Sequence, residues 1–206
     1  MIISFLALKH IKENTDIETS EIIKILNDIC KTKMFKNTKI YFYYYTLNPN
    51  KKNADSFFYR IIRVNSAWAI NVINNSKNTN VMDAFRITIG HELGHKQKHI
   101  NRLFHLLNLK FFSWVQEVYC DFYGTSAFAN KEKNKLISSI IYKIQDKDQN
   151  YSDISHPSWN KRLEYAKIGS FNDKLIIQIY KDSGCKNKRA LNKALNFYKN
   201  RFIILK

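Results

Sequence analysis

The segment His91-Glu92-Leu93-Gly94-His95 sets two imidazoles four residues apart with a carboxylate next to the first. On a helix this spacing turns both rings onto one face, about 6 Å apart at their Cβ atoms, where two neutral imidazoles can clamp one divalent ion. Imidazole ligands in this pattern suit zinc, which lowers the pKa of a bound water towards about 7. Glu92 lies one residue further round the helix. Its carboxylate is expected beside the ion and not on it, where it can take a proton from that water and later give it up as a general acid. Ile89 and Leu93 fall on the side of the helix away from His91 and would anchor it in a core.

A catalytic zinc takes three protein ligands and keeps a fourth position open, so a further ligand is required. His99 stands eight residues after His91 with Lys98 before it, which misses the longer spacing and glycine turn of the metzincin arrangement. It is read as a helix-end residue. Glu117 is the better candidate. The segment Gln116-Glu117-Val118-Tyr119-Cys120-Asp121 places two carboxylates four apart on one helical face of an otherwise apolar and aromatic stretch. Buried carboxylates need a partner, so Glu117 is expected to bind the ion, and Asp121 to accept the N–H of a ligating histidine and fix its tautomer.

The elements that must position these groups are legible in outline. Thr15 to Glu18 has capping-box spacing, and Ile22, Ile23, Leu26, Ile29 and Cys30 recur at helical period, which predicts a helix over residues 16–32. Lys39 to Leu47, Phe57 to Val64 and Ala67 to Ile73 read as strands of a small sheet ahead of the motif. Asn80 is the expected cap of the histidine helix, with Asp83 in its first turn and its end at about Lys98. Residues 113–130 form the expected carboxylate helix. Residues 132–145 form another, with Leu136, Ile140, Ile141 and Ile144 on its apolar face, and a loop holding Pro157 follows. Leu191, Ala194, Leu195, Tyr198 and Phe202 mark a last amphipathic helix beside Lys188, Arg189, Lys193, Lys199 and Arg201. A helix, then a sheet, then several helices make an α+β domain.

Taken in order, H-E-L-G-H at 91–95 and E-V-Y-C-D at 117–121 resemble the gluzincin zinc peptidases, in particular the M48 group, where H-E-x-x-H is followed by E-x-x-A-D. Ser155-His156-Pro157-Ser158-Trp159-Asn160-Lys161-Arg162 is similar to the S-H-P-x-x-x-x-R motif of the same group, and Asn65-Ser66-Ala67-Trp68-Ala69 more loosely to its N-A-F-A segment. The resemblance spans about residues 65–165. It implies a zincin-like fold, one zinc ion on His91, His95 and Glu117, and Glu92 as general base. It also implies that His156 reaches the cleft to hold substrate or oxyanion, and that Arg162 braces the loop. Only 21 residues separate His95 from Glu117. That gap is shorter than in the largely membrane-embedded M48 enzymes, and more similar to the soluble ImmA/IrrE and phage-exclusion Lit types.

Composition frames these expectations. With 206 residues, 45% of them hydrophobic, the chain suits a single domain. Residues 65–165 would form its catalytic core and 166–206 a basic helical extension. The apolar run from Met1 to Leu8 is about half of the roughly 20 residues a membrane span needs. Cys30, Cys120 and Cys185 are far apart and odd in number, which suggests neither disulfides nor a cysteine zinc site and favours a cytoplasmic setting. Lys and Arg number 34 against 17 Asp and Glu, a formal charge of +17. The expected partner is a protein or peptide substrate. An alternative is a zinc-containing binding module that acts on nucleic acid or a protein partner through its basic surface.

Overall fold

The computed structural model describes residues 1–57, 61–100, 106–145 and 151–206. The fold is mixed α and β. A four-stranded sheet is built from β1 (Ile2–Ile3), β2 (Lys39–Tyr43), β3 (Ala54–Ser56) and β4 (Ile61–Asn65), in the order β1-β2-β4-β3. The first three strands in that order are parallel, and β3 runs antiparallel to β4 along one edge. Ile40, Phe42, Ile62 and Val64 alternate with polar and aromatic neighbours, so one face of the sheet is fully buried.

Four helices cover that face: α1 (Phe5–Glu13), α2 (Thr19–Cys30), α3 (Ser66–Asn74) and α4 (Thr79–Gly94). The remaining α-helices among the described residues are α5 (Leu109–Gly124), α6 (Lys133–Gln145), α7 (Trp159–Ile168), α8 (Asp173–Asp182) and α9 (Lys188–Tyr198). They share a second hydrophobic cluster with the two-stranded ladder of β5 (Ser170–Phe171) and β6 (Ile203–Ile204). Phe171, Leu175, Ile176, Ala194 and Tyr198 pack in the same cluster as Phe111, Val115 and Phe122 of α5. The carboxy-terminal stretch is therefore part of the body that supports the site and contains strands as well as helices. Among the described residues no helix is long and apolar enough to cross a membrane.

Several expected boundaries change. Ala67 to Ile73 is helical, not extended: the parallel pairing of β4 stops at Asn65, which caps α3 with extended backbone angles while its amide donates to the Lys51 carbonyl at 2.7 Å. Trp68, Ala69, Val72 and Ile73 then bury at helical spacing, and a short run with Asn71 as its one polar residue cannot distinguish the two periods. Thr15 is not the cap of α2. Its hydroxyl donates back to the Ile11 carbonyl at 2.8 Å and ends α1, an element the sequence did not reveal, while Glu18 stands at the α2 cap without a side-chain bond. The histidine helix is capped by Asn78 in place of Asn80, and Asp83 instead pairs with Lys135 on α6 at 3.6 Å. It ends at Gly94, whose carbonyl accepts from His99 Nε2 at 2.8 Å, four residues before the expected Lys98. The carboxylate helix is shifted to Leu109–Gly124. Ile141 is 41% exposed and Phe202 39%, so neither belongs to the apolar stripe assigned to it. The expected strand from Phe57 to Val64 is described only in part, since residues 58–60 lie outside the described residues.

Candidate metal centre

The site depends on how closely α4 approaches α5. A Cβ added to Gly90 would meet the Gly124 backbone at 2.8 Å, and one added to Gly94 would meet Cys120 at 3.0 Å. Only hydrogen fits at these crossings, so the two helices pack backbone to backbone. Residues one position along from these contacts, His91 and His95 on one side, then face Glu117 and Asp121 on the other.

His91 Nε2 lies 3.1 Å from His95 Nε2 and 3.4 Å from Glu117 Oε2, and His95 Nε2 lies 3.4 Å from Glu117 Oε1. Two imidazole nitrogens and a carboxylate thus converge on one point. Tetrahedral zinc with bonds of about 2.0–2.1 Å holds its ligand atoms about 3.3 Å apart, and each of these three separations is near that value, the two from Glu117 being made by its two different oxygens. A Glu92 oxygen lies within 4.8 Å of a ring nitrogen of His91 and of one of His95.

Behind the triangle, His91 Nδ1 donates to Asp121 Oδ1 at 3.0 Å, which leaves the Nε2 lone pair for an ion. Asp121 is gripped in turn by buried Arg162, through Nε to Oδ2 at 2.7 Å and through Nη2 to Oδ1. Arg162 Nη1 also approaches Glu117 Oε2 at 3.8 Å. His95 Nδ1 lies 3.2 Å from the Gln116 amide and 3.5 Å from the Cys120 thiol. His156 stands at the open side with its Nε2 3.6 Å from Glu117 Oε1. The loop carrying it is tied by Asp153 Oδ1, which accepts from the His156 and Ser155 amides at 2.6 and 2.7 Å and from the Ser155 hydroxyl at 2.8 Å.

The electrostatics follow from burial and pairing. Burial alone would lower the pKa of His91, but hydrogen bonds and charges from Asp121 and Glu117 raise it to about 9. Burial and the charge of His91 push His95 down to about 3. Burial opposes ionisation of Glu117, yet the hydrogen bond and charge of His91, together with Arg162, bring it to about 2. Asp121 is likewise buried and held far below the usual carboxylate range, by the Arg162 charge and the His91 bond. Glu92 is raised, chiefly by burial and also by the nearby charges of Glu117 and Asp55, while His91 and Lys143 oppose the rise.

A second set of potential ligands, His95, His99 and Cys120, also lies close together. It suits an ion poorly. His99 uses Nε2 on the Gly94 carbonyl, and its Nδ1 lies 3.3 Å from the Tyr198 hydroxyl. The Cys120 thiol is fully buried and its pKa stands well above normal, so the thiolate that would bind metal is disfavoured.

The structure thus brings together His91, Glu92, His95, Glu117, Asp121, His156 and Arg162, and it places His99 just past the end of α4, on the Gly94 carbonyl. Sequence reasoning gave no role to Trp159 or Asp153. The Trp159 ring lies 4.0 Å from the Arg162 guanidinium carbon and covers its face, and the Asp153 carbonyl accepts from Trp114 Nε1 at 2.9 Å. Trp159 falls at a variable position of the S-H-P-x-x-x-x-R pattern, and Asp153 precedes that pattern, so neither carried a signal. No family model, curated protein or solved structure matches the chain.

Proposed function

We propose that the protein is a zinc-dependent endopeptidase of the gluzincin kind, with a zincin-like fold, in which His91, His95 and Glu117 hold a single ion. The observation that carries this reading is the convergence of the two Nε2 atoms, 3.1 Å apart, with the Glu117 carboxylate, which sets one oxygen 3.4 Å from each, backed by the Asp121–Arg162 pair. When bound, the ion would polarise the scissile carbonyl and bring the pKa of a water towards about 7.

The rest is done by side chains. Glu92, beside the triangle and raised in pKa by burial, takes the proton of the attacking water and passes it to the leaving amine. His156 Nε2, at the open side, donates to the oxyanion that develops as the carbonyl carbon becomes tetrahedral. Asp121 holds His91 in the tautomer that exposes Nε2, and Arg162 fixes Asp121.

The substrate is a protein or peptide in extended form. Since Ala67 to Ile73 is a helix, the strand available to hold it is β3, which forms the sheet edge beside α4; Lys96, just past α4, donates to the Phe57 carbonyl just after β3. A peptide can add to such an edge through main-chain hydrogen bonds.

The test is zinc content and hydrolysis of an unfolded protein substrate, compared for wild type, Glu92→Gln and Glu117→Ala. The expected result is about one zinc per chain in wild type and in Glu92→Gln, hydrolysis in wild type alone, and weakened zinc binding in Glu117→Ala. An active Glu92→Gln enzyme, or full zinc retention in Glu117→Ala, would refute the assignment of roles.

A further inference from the structure

The two histidines of the centre are held unequally. His91 lies within α4, its side chain is 8% exposed, and the Asp121 carboxylate accepts from its Nδ1. His95 is the residue at which α4 ends, and its side chain is 20% exposed. Behind its ring stands an amide in place of a carboxylate: Gln116 Nε2 lies 3.2 Å from His95 Nδ1.

His95 turns Nε2 towards His91 and Glu117, at 3.1 and 3.4 Å, so Nε2 is the atom it can offer an ion. A neutral imidazole has one ring N–H, and a ring that gives its Nε2 lone pair to a cation carries that hydrogen on Nδ1. There the hydrogen needs an acceptor, because a donor left unmatched away from water is costly. Three groups stand near it. The Cys120 thiol, 3.5 Å away, is a weak acceptor. His99, whose ring centroid is 6.4 Å from that of His95, turns Nε2 to the Gly94 carbonyl and Nδ1 to the Tyr198 hydroxyl. The Gln116 amide is left, and a half-turn about its last side-chain bond exchanges Nε2 for Oε1, a full acceptor. Gln116 and Cys120 are four residues apart on α5, on the face brought up to His95 where Gly94 meets Cys120.

From this arrangement we infer that Gln116 is a positioning residue for the metal centre: its Oε1 accepts from His95 Nδ1, fixes the tautomer that bares Nε2, and steadies the ligand that α4 does not enclose. The inference rests on the zinc reading proposed above. The centre already gathers the carboxyl groups of Glu92, Glu117 and Asp121, and a neutral amide orients the ring without adding a further negative charge.

The test is zinc affinity by competition with a chromophoric chelator, for wild type, Gln116→Leu, Gln116→Glu, Cys120→Ala and Glu117→Ala, with circular dichroism on each sample. Gln116→Leu removes the acceptor while keeping much of the bulk, and is expected to bind zinc about 10- to 100-fold more weakly. Gln116→Glu keeps an acceptor oxygen and is expected to bind zinc at least as tightly as wild type, and Cys120→Ala to bind it like wild type. Nitrogen-15 spectra at saturating zinc give a readout that lost packing alone would not move: the His95 Nδ1–H signal is expected in wild type and is lost to exchange with water in Gln116→Leu. The inference is overturned, with the zinc reading intact, if Glu117→Ala weakens zinc binding while Gln116→Leu binds like wild type, if Gln116→Glu binds as weakly as Gln116→Leu, or if Cys120→Ala alone reproduces the loss. Absence of zinc from the wild type overturns both.

Discussion

Replacing Gly124 by alanine tests whether the helix crossing builds the site. The new Cβ would stand 2.7 Å from the Ile87 carbonyl oxygen and 3.2 Å from the His91 amide nitrogen. Both are backbone atoms of α4, so no rotamer change relieves the contact, and reaching even the 3.4 Å of an ordinary contact separates the helices by about 0.7 Å. Overpacking of this kind costs about 1–3 kcal/mol. In a chain of this size each kcal/mol lowers the melting temperature by about 2–4 °C. The metal site suffers more specifically: His91 and His95 ride on or next to α4 and Glu117 on α5, while zinc tolerates about 0.2 Å in its bond lengths. Zinc affinity should therefore fall at least about tenfold, on the scale of losing a supporting group. The control is Gly184→Ala, where φ is +72° and no atom lies within 4 Å of the added Cβ. Left-handed backbone costs alanine about 1–2 kcal/mol, so this variant should melt lower by a similar amount with zinc affinity unchanged. The assays are thermal melting of the metal-free protein and zinc competition against a chromophoric chelator. If Gly124→Ala melts lower yet holds zinc like wild type, the idea that close approach sets the ligand triangle is wrong.

Four further outcomes follow from the same geometry. Asp121→Ala removes both the acceptor for His91 and the partner of buried Arg162. It should cost about 3–5 kcal/mol in urea unfolding and about 10–100-fold in zinc affinity, and an unchanged affinity would deny Asp121 its supporting role. His91, raised to about 9 against an ordinary 6.5, stabilises the metal-free fold below pH 6.5 and loses that contribution as pH rises through 9, so the metal-free protein should melt lower at the alkaline end. Because zinc must displace the same proton, its affinity should climb about tenfold per pH unit from neutral pH up to that point, and a flat profile would mean that His91 is not a ligand. His156→Ala should lower kcat by about 10²–10³-fold with zinc content intact, whereas loss of zinc would make His156 a ligand.

The candidate site was more legible than the fold that holds it. Ligand chemistry is local in sequence: a helix turn fixes the separation of His91 and His95, and another fixes that of Glu117 and Asp121, so both pairs could be read from spacing alone. The meeting of Glu117 with the two histidines was legible because an acidic pair in an apolar helix must find a partner. The fold was read less well where one residue type serves two purposes. Thr15 and Asn80 look like helix caps, but the neighbouring Ile11 carbonyl and Asn78 decide their use. Ala67 to Ile73 is apolar but for Asn71, because α3 packs against both the sheet and other helices, and so short a run has little period to read. The glycine crossing was invisible for a different reason. A small residue at 90 or 124 means nothing until the opposing helix is known, and the contact joins residues 34 positions apart in the chain.

The charge balance of the buried cluster points to a last prediction. In the metal-free state Glu117 and Asp121 are negative while Arg162 and His91 are positive, so the four groups are neutral together. Exchanging the His91 proton for a dication adds one positive charge to a region between two hydrophobic clusters, where uncompensated charge is costly. Glu92 is the group able to cancel it. Burial and the charge of Glu117 raise its pKa in the metal-free protein, and a nearby dication favours the carboxylate. Loading the ion and ionising the base are then one coupled event. Calorimetry of zinc binding in buffers of different ionisation heat counts the protons released, and the count should be higher for wild type than for Glu92→Gln at mildly acidic pH, with the difference vanishing as pH rises. Equal counts at every pH would show that Glu92 is already ionised before the ion arrives, and would leave the neutralising charge to be found elsewhere.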